Sequence, residues 1–89
     1  MSKVVCPGSF DPITFGHLDI IERASKLFDE VVIAVLVNKT KTTLFSVDER
    51  IEMIKEVTKK FKNVSVDSWS GLLVEYCANN NISMIVKGL

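Results

Sequence analysis

No excess of either charge marks this sequence: eleven Lys and Arg stand against eleven Asp and Glu. A protein that gripped a nucleic acid through its phosphates would carry a basic surplus, so no nucleic-acid partner is expected, and no anionic lipid either. Cysteine is scarce. Cys6 and Cys77 lie far apart, fit no paired spacing for zinc or redox chemistry, and each sits in an apolar stretch. Reduced, buried thiols and no protein-held metal are the expectation. Long apolar runs are also missing: the longest, Val31 to Val37, falls far short of the roughly 20 residues that span a bilayer. Nothing near the start resembles a signal peptide, because Lys3 is followed almost at once by Pro7, Gly8 and polar residues. These absences predict a cytoplasmic protein with no membrane partner. With two prolines, four glycines, no repeat and no low-complexity tract, no linker divides the chain. Its 89 residues, 47% of them apolar, suffice for one small domain or a piece of a larger one.

What is present is a regular alternation of short apolar runs and amphipathic segments. Lys3 to Cys6 reads as a strand stopped by Pro7-Gly8. From about Gly16 to Phe28, Leu18, Ile21, Ser25 and Phe28 recur at helical spacing, with Ile20, Ala24 and Leu27 widening the stripe. The run from Val31 to Val37 does not alternate at all, as a parallel strand covered on both faces requires. After a polar loop from Asn38 to Phe45, Ser46-Val47-Asp48-Glu49 forms a capping box opening a helix. Ile51, Ile54, Thr58 and Phe61 carry its inner face, flanked by Val47 and Val57. Val64 to Asp67 is a short strand. Ser70 or Gly71 opens a third helix with Leu72, Leu73, Tyr76 and Cys77 on one face, and Asn79-Asn80-Asn81 ends it. Ile82 to Lys87 is a fourth strand. The order βαβαβαβ specifies an open parallel α/β sheet, Rossmann-like, with right-handed crossovers. The stop just after Gly88 is expected to be a truncation, with further sheet-covering elements beyond it.

In such a sheet, ligands sit outside the carboxyl ends of the strands. Pro7 to His17, Asn38 to Phe45, Ser68 to Leu73 and Lys87-Gly88 all converge there. The first segment is the informative one. Thr14-Phe15-Gly16-His17 puts a glycine and a histidine at a helix start, where free amides and the positive dipole end suit phosphate oxygens. Ser9 offers a hydroxyl and His17 a ring N–H that can follow a phosphate into its transition state. The bland alternative for His17 is a cap or core residue. The glycine spacing matches neither the Walker loop nor the dinucleotide fingerprint. Asp11 could act as an acid, but a short Asp-Pro turn explains it better, and Trp69 is expected to pack.

The whole string from Pro7 to His17, PGSFDPITFGH, closely resembles the opening motif of bacterial phosphopantetheine adenylyltransferases, nucleotidyltransferases marked by a His/Thr-x-Gly-His signature. Thr14 at the first signature position points to this family over the cytidylyltransferases. Phe28 to Val31, Phe45 to Arg50, Ser70 to Leu73 and Ile85 to Leu89 look like further landmarks, so the likeness covers the entire chain but only about half of a family member. The resemblance implies that residues 1–89 are the N-terminal part of a single nucleotidyltransferase domain. The implied fold is the adenine nucleotide alpha-hydrolase-like variety of the open sheet.

The resemblance also assigns roles. His17 would contact ATP phosphates and stabilise the pentavalent α-phosphate. Ser9 would touch both substrates, Phe10 would give a backbone contact to ATP, and Gly88 and Leu89 would begin an ATP-binding stretch. Lys41 would orient the phosphate of 4'-phosphopantetheine and Leu73 would line the pantetheine channel. Lys87 stands where many members have arginine, so a point charge replaces a bidentate fork. The implied reaction joins 4'-phosphopantetheine to the AMP unit of ATP, with Mg2+ carried on the triphosphate and held by substrate oxygens and water. The implied full-length assembly is a homo-hexamer. A cytidylyltransferase, or a fragment that binds phosphate without turnover, remains the alternative.

Overall fold

The computed structural model describes residues 2–38, 40 and 42–87. Strands β1 (Lys3–Gly8), β2 (Glu30–Leu36), β3 (Val64–Trp69) and β4 (Met84–Ile85) alternate with helices α1 (Phe15–Leu27), α2 (Val47–Thr58) and α3 (Leu73–Asn79). All four strands are parallel, in the order β3-β2-β1-β4. The chain therefore steps outward from β1 through β2 to β3, then returns to lay β4 against the free side of β1. With right-handed crossovers, the outward steps put α1 and α2 over one face and the return puts α3 over the other.

The packing follows that rule. Val4, Cys6, Val31, Ile33 and Val35 meet Ile21 and Ala24 of α1 and Ile54 of α2. The alternate residues Val5, Val32 and Ala34 meet Tyr76 of α3 and Ile82. The unbroken apolar run of β2 is thus explained: successive side chains feed opposite cores, and five of them are buried. Cys6 lies in the first core, where burial pushes its thiol up to about 11 and leaves it unreactive at neutral pH. Both cysteines are free thiols, Cys6 buried and Cys77 half-buried.

Several boundaries differ from the sequence reading. β1 does not stop before Pro7 but runs through Gly8, with Pro7 beside Ala34. Val5 accepts from the Val86 N–H, so its peptide groups face β4, and Pro7, two residues on, faces the same way. β4 pairs only with Val4 and Val5, so the amide that Pro7 lacks has no ladder partner to lose. β3 continues past Asp67 to Trp69, and β4 keeps just two of the six residues expected from Ile82 to Lys87. α3 starts at Leu73 because Gly71 adopts a φ of 135°, outside helical space. Leu72 and Leu27 are exposed, not core, while Asn81 takes the left-handed conformation expected at a helix stop. Trp69 packs edge-on against Tyr76 and donates its indole N–H to the Leu72 carbonyl, 2.9 Å away.

Candidate functional site

The order of strands reverses between β1 and β4, and the crevice outside their carboxyl ends is where an open α/β sheet takes ligands. The loop from Ser9 to Thr14 leaves β1 at that point and delivers the chain to the start of α1. Phe10 anchors the loop. Its ring is buried, and a Cβ on Gly8 would approach that ring to 3.1 Å, so glycine is what lets the ring lie against the end of the strand. Phe10 itself has a φ of 48°, a left-handed conformation that its buried ring holds in place.

The start of α1 is a capping box with histidine in the position that Glu or Gln usually fills. Thr14 Oγ1 accepts from the His17 amide at 3.3 Å, and the Thr14 amide donates to His17 Nδ1 at 3.0 Å. A backbone N–H can only donate, so Nδ1 is an acceptor and the neutral ring carries its proton on Nε2. The imidazole and the Phe10 ring meet in a T-shaped arrangement, with centroids 4.9 Å apart. The cap and the functional reading are therefore one arrangement: one ring nitrogen holds the helix start and the other is a donor. Nitrogen-15 spectra of the neutral form should show Nε2 protonated and Nδ1 bare; the opposite tautomer would contradict this geometry.

At the same helix start, the amides of Phe15 and Gly16, the first two of α1, are left without intrahelical acceptors. Ser9 is exposed at the end of β1 and can add its hydroxyl. Together these groups make a candidate cradle of donors at the positive end of the α1 dipole.

Two residues that the sequence reading did not credit hold the cradle in place. Asp11 accepts from the Leu44 amide at 2.7 Å and from the Phe45 amide at 2.8 Å, one bond to each carboxylate oxygen. Arg50, in the first turn of α2, donates from Nη1 to the Ser9 carbonyl at 2.8 Å and from Nε to the Ser46 carbonyl at 3.4 Å. The loop after β1 is thus clasped to the segment that leads into α2. Arg50 carried a sequence signal, since Ser46, Arg50, Ile54 and Thr58 fall on one i, i+4 row and the last three are buried. Asp11 carried none, because its partners lie more than thirty residues away.

Of the other sequence-predicted residues, Lys87 is exposed just past β4, next to the crevice, and Leu73 is half-buried as the first residue of α3, beyond the end of β3. Both stand on the ligand edge. Lys41, Gly88 and Leu89 lie outside the described residues. Among the described residues, no three His, Cys, Asp or Glu side chains are grouped to hold a cation. A cavity of about 400 Å³ lies beside the start of α1, lined by Ile13, Thr14, Phe15, Leu18 and Val57. With Thr14 its only polar wall residue, it does not suit a phosphate.

The chain is 57% identical over its full length to the phosphopantetheine adenylyltransferase of Streptomyces coelicolor, covering 56% of that protein. It is 60% identical to the protein of the same name from Symbiobacterium thermophilum, covering 55% of it. The chain thus spans about half the length of the curated relatives it matches. In fold it is similar to the crystal structure of the lipopolysaccharide core biosynthesis protein from Thermoplasma volcanium, with a TM-score of 0.75 at 24% identity over 96% of this chain and 72% of that one. The cytidylyltransferase-like family matches residues 5–89, and the chain belongs to that family.

Proposed function

We propose that the protein carrying this chain transfers the adenylyl group of ATP to 4'-phosphopantetheine, giving 3'-dephospho-CoA and pyrophosphate in coenzyme A biosynthesis. The observation that carries the reading is the His17 ring, whose Nδ1 is spent on the Thr14 amide, leaving Nε2–H to donate at a helix start whose first two amides have no intrahelical acceptor, next to the switch point of the sheet. Identity of 57–60% to proteins named for this reaction supports the choice of substrates.

The acceptor is a phosphate monoester that is already anionic, so the reaction needs no general base. Its oxygen attacks the α-phosphorus of ATP, the bond to the β-bridging oxygen breaks, and pyrophosphate leaves with the electron pair. Catalysis then consists of positioning and charge stabilisation. His17 Nε2–H and the Phe15 and Gly16 amides donate to phosphate oxygens on which charge builds up. Ser9 and the Phe10 backbone locate the nucleotide, with Gly88 and Leu89 continuing that contact. Lys41 and Lys87 offset repulsion between the two polyanions, and Leu73 borders the pantetheine arm. Magnesium would come with the nucleotide, held by phosphate oxygens and water, and would offset charge on the triphosphate; Asp11, the carboxylate of this loop, spends both oxygens on amides. The working protein is a cytoplasmic homo-hexamer.

The name of the matched family keeps cytidylyl transfer as a second reading. Pyrophosphate release separates the two. The intact protein should release pyrophosphate from ATP in the presence of 4'-phosphopantetheine; release from CTP with glycerol 3-phosphate, and none from the first pair, would establish the alternative. The 89-residue stretch by itself is expected to bind phosphate with little turnover, and full activity from it would overturn that expectation.

A further inference from the structure

Arg50 is in an unfavourable place for a residue that serves stability alone. It is only 3% exposed, and its guanidinium is permanently charged. Burying a charge is costly unless it is paired. Among the described residues the ion pairs are Lys3–Glu30, Arg23–Asp19 and Lys59–Glu56, all at the surface, and Arg50 belongs to none. It also sits in the first turn of α2, at the positive end of that helix's dipole, where a cation is disfavoured. The other buried polar side chain, Thr58, is neutral and returns its hydroxyl to the Ile54 carbonyl. Among the described residues, only Arg50 is a buried charge without an ion pair.

That charge lies directly behind the phosphate cradle, with Nη1 on the carbonyl of Ser9. We propose that Arg50 is a buried counter-charge for the nucleotide's phosphates, fixing the Ser9 loop through its carbonyl and holding positive potential beneath it. Arg50 does not touch the reacting atoms and is a positioning residue. In a poorly polarisable interior the field of a buried charge reaches across one residue with little screening. A polyanion placed on the loop supplies the negative partner that the described residues do not provide. This assignment rests on the reading of the loop as a nucleotide phosphate site.

The test compares ATP, ADP and AMP binding to the intact protein by titration calorimetry for wild type, Arg50→Lys and Arg50→Gln, with melting temperatures for each. Glutamine removes the charge and brings its amide only to the position of Arg50 Nε, which faces the Ser46 carbonyl; lysine keeps the charge and reaches toward the Ser9 carbonyl with a single donor group. The glutamine variant should bind ATP about tenfold more weakly, with smaller losses for ADP and least for AMP, while the lysine variant stays within about threefold of wild type. Arg50→Met fills a similar volume without charge and should show the same graded loss if the glutamine protein fails to fold. Equal losses for all three nucleotides, or unchanged ATP affinity in both uncharged variants, would reduce Arg50 to a packing residue and overturn the proposal. Failure of the wild-type protein to bind ATP would instead remove the phosphate reading of the loop, and this assignment with it.

Discussion

Replacing His17 with alanine should lower turnover of the intact protein by about 10²–10³, equivalent to roughly 2.7–4 kcal/mol of transition-state stabilisation, while changing ATP affinity only a few-fold. The asymmetry follows from the charge on the phosphate oxygens, which rises as the phosphorus becomes pentavalent. A donor already aimed by its own hydrogen bond gains most at that moment. His17 has such a bond, because Nδ1 is held by the Thr14 amide at 3.0 Å and the ring is braced by Phe10. Alanine also deletes the reciprocal half of the capping box, so a fall in activity could come from a frayed helix start. His17→Gln separates the two effects. Glutamine at this position can accept from the Thr14 amide and restore the cap, yet it cannot place an imidazole donor on the far side. A glutamine variant with wild-type melting temperature and severely reduced kcat would assign the loss to the ring. Loss confined to KM in both variants would make His17 a binding residue only.

Much of this arrangement is legible in the chain because it is local. The unalternating run of β2, the Ser46 capping box and the Thr14-to-His17 helix start each depend on residues within one or two turns, and all three are present as read. Where the reading missed, the deciding contact lies far off in sequence. The end of β1 depends on how short β4 is, and no local feature of Pro7 reveals that. Leu27 continues the apolar stripe of α1, yet the helix turns it away from the sheet and leaves it 76% exposed. Asp11 sits in the Asp-Pro turn as read, but its carboxylate also accepts from the Leu44 and Phe45 amides, which no local pattern reveals. The candidate site residues of the first loop lie in one short motif, whereas the contacts that clasp that motif are spread over some forty residues, from Ser9 to Arg50.

Gly16→Ala should leave the fold intact and still weaken nucleotide use by about tenfold or more. An added Cβ at this position would meet only Thr14 Oγ1, at 3.6 Å, an ordinary contact. Gly16 is helical, and the one glycine of positive φ among the described residues is Gly71. Nothing inside the protein therefore requires glycine there, and alanine is the better helix former by about 1 kcal/mol in a helix interior. Melting temperature should hold or rise. The cost would fall outside the chain. Each Cα–Cβ bond in a helix tilts toward its N-terminus, so the new methyl would project into the space in front of the Phe15 and Gly16 amides. A phosphate drawn to those amides would have to retreat, weakening the hydrogen bonds and misaligning the α-phosphorus with His17 Nε2–H. Both KM for ATP and kcat should suffer. Steady-state kinetics alongside thermal melting decides the matter: an alanine variant as stable and as active as wild type would mean that no phosphate approaches this turn of α1.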